Sequence, residues 1–162
     1  MIHRPGFLRQ SLTGGIIYLV GDTIAALLVG EFSIGRCLGI FLTGSTLYAW
    51  EIQTYFRWIE NKIKPMSSRK KKWVNTTLAL VYFNPLWIAR HLLIVYLISG
   101  NASDISTALL VSATIAFLVN IPLSIVANFI IQNKVDLHYR FWASAVFSGL
   151  MAIYYSMSSV WF

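Results

Sequence analysis

Five apolar stretches alternate with short polar ones along the chain. Residues 11–30 are apolar except for Asp22, and 34–56 follow a tight turn at Glu31–Ser33. The runs 73–98, 105–131 and 141–161 complete the series. Each is long enough for an α-helix to cross a hydrocarbon core of ~30 Å. The polar punctuation is brief except at 57–72, RWIENKIKPMSSRKKK, which reads as a basic loop. SGNASD at 99–104 is a turn signal, and 132–140 is polar again. The pattern predicts an all-α polytopic transmembrane helix bundle of about five spans, with 1–162 forming a single integral-membrane domain.

Charge orients this bundle. The N-terminal lead, the basic loop and 132–140 fall on one face, and they carry two, seven and two of the thirteen Lys/Arg residues. The opposite face has Arg36 alone, and Arg90 lies inside a span. Cations beside spans stay on the cytoplasmic-type or matrix-type face, so the basic loop is expected there, against anionic lipid head groups. The composition agrees: 57% of residues are hydrophobic and 12% charged, about half the charge of a soluble domain. A net charge of +7 concentrated in one loop suits a membrane surface. A nucleic-acid binder would spread basic and aromatic side chains over a soluble face. The single Cys37 excludes an internal disulfide and a cysteine-based metal site. Arg4 and Arg9 precede the first apolar run without a cleavage site after it, so that run is expected to stay as a span.

Polar residues within the spans are the candidate chemistry. At a helical rise of ~1.5 Å per residue from the basic face, Asp22, Asn84 and Asn120 all lie roughly 15–16 Å deep. Ser45 and Ser148 come at similar depth. The breaks at Asn84-Pro85 and Asn120-Ile121-Pro122 each free a carbonyl, which in a membrane needs protein or water to satisfy it. These residues therefore suggest a polar layer near the midplane, acting either as a hydrated path or as bonds between helices. A carboxylate at such depth calls for a function or a partner. Arg90, the only deep cation, is the expected partner of Asp22, with His91 and Glu51 as further charge partners. Gly35 and Gly39 have the four-residue spacing that lets helices approach closely, and Ser144, Ser148, Ala152 and Ser156 form a similar stripe. No metal-ligand cluster, nucleophile–base pair or phosphate loop is evident, so neither catalysis nor a cofactor is expected.

Several short motifs bear a resemblance to one family. Gly21-Asp22 with Ile24-Ala25 is similar to its GD-x-I-A signature. Pro122, Asn128-Phe129 and Leu137-His138-Tyr139-Arg140 resemble its P-x-x-Q-x-x-N-F…P-x-x-x-R segment, and Tyr154-Tyr155-Ser156 its closing Y-L-S. The family is that of the twenty-two-kilodalton peroxisomal membrane protein and the mitochondrial inner-membrane protein Mpv seventeen. The chain departs from it at Ala26 and Ile125, where the family carries glutamine. The resemblance implies a mitochondrial inner-membrane, peroxisomal or bacterial inner-membrane protein. It further implies a small-solute channel or pore modulating membrane permeability, as a homo-oligomer or part of a larger membrane complex. The rival expectations are a structural or accessory subunit without transport, and a small flippase-like transporter.

Overall fold

The computed structural model describes residues 7–135 and 137–161. Seven α-helices follow in order: α1 (Phe7–Val29), α2 (Ile34–Thr43), α3 (Ala49–Ile63), α4 (Ser68–Tyr82), α5 (Pro85–Ile98), α6 (Ala108–Asn133) and α7 (Leu137–Trp161). A π-helical segment, Gly44–Tyr48, joins α2 to α3, and among the described residues there is no strand. Among the described residues, three helical runs are long and apolar enough to cross a membrane: Ser11–Val29, Ser68–Ile98 and Ala108–Asn133.

The basic stretch 57–72 is helical apart from 64–67 and is not the loop expected. Its residues end α3 and begin α4, with Lys62 lying 5.8 Å from the Trp58 ring centroid. Lysine and arginine are good helix formers, so the run of charge extends both helices beyond their apolar parts. The two prolines also behave differently from each other. Asn84-Pro85 separates α4 from α5: the Asn84 side chain caps the new helix by accepting from Trp87 N at 3.0 Å, and Pro85 takes the first-turn position where it loses no bond. Pro122 instead lies inside uninterrupted α6, where its ring leaves the carbonyl of Leu118 without its helical donor.

The turns after α1 and α5 are built alike. Gly30 and Gly100 adopt φ of 76° and 79°, and the following amides return to Ala26 O and Tyr96 O at 2.9 Å. Such left-handed closures favour glycine, which has no Cβ to strain. They reverse the chain within a few residues and bring α2 back along α1.

Inside, Tyr18, Tyr48, Trp87, Ile88, Ala116, Met151 and Tyr155 belong to one buried core drawn from α1, the π segment, α5, α6 and α7. Large apolar side chains such as Leu28, Leu118, Leu123 and Leu150 are exposed on the outside. An outward-facing apolar coat of this extent suits hydrocarbon better than water. Close packing of α1 on α7 depends on Gly21, where a Cβ would stand 2.7 Å from Gly149 O. Of the expected packing glycines, Gly39 faces Ile98, but Gly35 has open space around it. A motif at i and i+4 needs both residues on the contact, and here only one is.

Candidate functional site

The deepest charge in the bundle is Asp22, 1% exposed. Arg36 donates to it through Nε at 2.7 Å and Nη2 at 2.8 Å, a bidentate pair. Ser156 of α7 adds a third bond, Oγ to Oδ1 at 3.0 Å. Local structure places Arg36: Ser33 caps α2 by accepting from Arg36 N at 3.1 Å, which sets the arginine in the first turn, opposite the end of α1. Its Nη1 reaches the exposed Glu31 at 3.1 Å. The expected Asp22–Arg90 pairing is therefore corrected. Arg36 stands closer in the fold because the Gly30 turn folds α2 directly onto α1. Asp22 is seven residues before the end of α1, so the pair lies about 10 Å from that turn.

Arg90 belongs to a second pair. Its Nη1 and Nη2 donate to Glu51 Oε1 and Oε2 at 3.1 and 2.6 Å, with both side chains partly exposed. The guanidinium lies 5.7 Å from the Tyr48 ring centroid and 5.8 Å from that of Trp87. With Asn84 this pair lines an open groove of about 410 Å³, walled by Tyr55, Tyr82 and Trp87.

Polar aromatic side chains fill the interior between the two pairs. Tyr48 OH lies 3.0 Å from His91 Nδ1, and Trp87 stacks on the His91 ring at 5.8 Å and 7°. Tyr18 meets Tyr48 at a centroid separation of 4.9 Å. The buried Tyr18 hydroxyl and His91 Nε2 have no hydrogen-bond partner among the described residues. The π segment contributes here, since one extra residue per turn shifts the helix face and Tyr48, at its end, is fully buried. On the Asp22 side a small cavity of about 50 Å³ is lined by Glu31, Arg36, Ser99 and Ser156, room for a few water molecules.

The polar layer expected at one depth is divided among three environments. Asp22 is in the ion pair and Asn84 is the α5 cap at the groove. Asn120 is packed between α6 and α7, donating to Ser124 Oγ at 2.7 Å with Met151 Sδ at 3.1 Å and Tyr155 OH at 3.3 Å. Ser45 bonds its own helix at Phe41 O, and Ser148 is half-buried on α7. The family-motif positions have packing roles: Asn128 bonds Ser124 O, Phe129 meets Trp73 at 5.3 Å, and Gly21 admits α7. The Arg140 side chain lies outside the described residues. Among the described residues no three His, Cys, Asp or Glu side chains are grouped as a metal ion would need.

Sequence reasoning used Arg36 only as a marker of the far face. A usable signal was present, because a buried carboxylate needs a cation and Arg36 begins the helix next in line. No family model, curated protein or solved structure matches this chain.

Proposed function

We propose that the chain is a five-span integral membrane protein that controls passage of a small solute, with the basic α3–α4 hairpin on the cytoplasmic-type face against anionic head groups. The second span in this reading is 34–56 and the fifth is α7. The resemblance to the Mpv seventeen family points the same way and favours an organellar or bacterial inner membrane, with assembly into a homo-oligomer or larger complex. The observation that carries the proposal is the polar interior running from Glu51–Arg90 through Tyr48 and His91 to Asp22–Arg36. Ionisable groups within a membrane are costly and characteristically mark solute and proton pathways. Well-packed apolar residues would serve stability as well as a buried ion pair does. In this account the Asp22–Arg36 pair closes the path in the resting state, and solute passes when it separates.

Flux through proteoliposomes tests this. Liposomes with the native protein should release small polar solutes faster than empty ones, and Asp22→Asn should alter that rate. Release equal to that of empty liposomes would exclude the proposal.

A structural or accessory role is the second reading. It is favoured by Asn120, whose amide is occupied by Ser124, Met151 and Tyr155 in the manner of interhelical glue.

A further inference from the structure

We propose that the groove at Glu51 and Arg90 binds the head group of a zwitterionic phospholipid. The site is independent of whether the protein conducts a solute, and rests only on its placement in a membrane.

Three features of the groove select this occupant. The first is charge. Glu51 and Arg90 are the charged side chains lining it, and they neutralise each other, so an anion gains no net attraction. A head group with a phosphate and an ammonium is complementary to such a pair laid side by side. The phosphate meets Arg90 and the ammonium meets Glu51, both of which keep partly exposed side chains after pairing. Their mutual bonds occupy one N–H of each Nη and one lone pair of each carboxylate oxygen. With Arg90 Nε buried, the second N–H of each Nη and the remaining carboxylate lone pairs are the groups left for a ligand.

The second feature is the wall. Tyr55, Tyr82 and Trp87 border the space and give it the largely apolar, aromatic lining of a ligand site, with the charged pair as its few polar groups. The volume of about 410 Å³ falls within the ~300–1,000 Å³ of ligand sites.

The third is the rim, which decides between a lipid and a soluble zwitterion. Val81 and Leu86 stand at the mouth, and Leu86 is 70% exposed. Acyl chains can leave the groove over these side chains and remain in hydrocarbon. Glu51 is six residues before Arg57 on one helix, so the bound head group would sit about 9 Å deeper than the first cation of the basic hairpin. A lipid can reach that depth sideways with its chains left in hydrocarbon throughout, which a soluble ligand, having no chains to place there, cannot do.

The test is native mass spectrometry of the detergent-purified protein, offered equal amounts of phosphatidylcholine, phosphatidylglycerol and diacylglycerol with the same chains. The native protein should retain phosphatidylcholine at least about fivefold over the other two. Leu86→Trp, which crowds the mouth from an exposed position and leaves the ion pair in place, should abolish the preference, as should Glu51→Gln. Leu97→Trp, exposed elsewhere on α5, should retain it. Equal retention of the three lipids, preference for phosphatidylglycerol, or a preference that survives Leu86→Trp would each overturn the proposal. So would displacement of the lipid by free phosphocholine as effectively as by lysophosphatidylcholine, which would make the occupant a soluble zwitterion.

Discussion

Arg36 grips Asp22 through both carboxylate oxygens, at 2.7 and 2.8 Å, from a position 14 residues further along the chain. Both side chains are 2% exposed. Removing one partner of such a pair leaves an uncompensated buried charge, which costs about 3–5 kcal/mol. Arg36→Met should therefore destabilise the folded protein strongly, and Asp22→Asn should relieve part of that loss when combined with it. Unfolding in detergent by a double-mutant cycle measures the coupling. Additive effects would mean that the two side chains do not interact.

Arg90 should be coupled to Glu51 and not to Asp22. Groups without a shared partner add within about 0.5 kcal/mol. A cycle of Arg90→Met with Asp22→Asn should be additive at that level, and one with Glu51→Gln should not.

The close approach of α1 to α7 depends on the missing Cβ of Gly21. Gly21→Ala would place a methyl 2.7 Å from the Gly149 carbonyl oxygen, which a backbone cannot relieve cheaply, and overpacking of this kind costs about 1–3 kcal/mol. Gly35→Ala meets open space and should be neutral or stabilising, because alanine is the better helix former by about 0.5–1 kcal/mol. Thermal unfolding of the two variants should separate them in that order.

Thiol labelling should divide the three deep polar positions. In a background with Cys37→Ser, a cysteine at Asn84 faces the groove and should react with a small water-soluble reagent. One at Asn120, 5% exposed and packed against α7, should be as inert as one at Leu28, on the exposed apolar face of α1 that the proposal turns to lipid. Fast labelling at position 120 would restore a single hydrated cavity.

Orientation is checked in the same way. Cysteines at exposed Ser68 and Ala102 should label from opposite faces of sealed vesicles. Labelling from one side would remove the five-span arrangement.

Helical character, and for three of the runs membrane-spanning length, follow from composition and run length, because apolar runs of this size have few alternatives to a helix in lipid. A break at Asn84-Pro85 is legible too, but its form is not: the sequence reading has the proline freeing a carbonyl within one span, whereas Asn84 caps a new helix with Pro85 in its first turn. The partners of the charges are not legible. Depth counted along each helix places residues at a level but does not say which helices are neighbours. Asp22, Asn84 and Asn120 share a level by that count and still face different surroundings. Arg36 escaped notice for a related reason: its Cα is near the end of a helix, and only its long side chain, reaching back across the Gly30 turn, takes the charge to Asp22. The basic stretch 57–72 reads as a loop by its polarity between two apolar runs, although its lysines and arginines are compatible with helix.

Planar-bilayer recording of the purified protein tests the central claim most directly. The native chain should give discrete unitary currents, and Asp22→Asn, which weakens the hold of Arg36, should change their amplitude or open time. Silent bilayers, with insertion of folded native protein verified, would contradict the account and leave the structural role in its place.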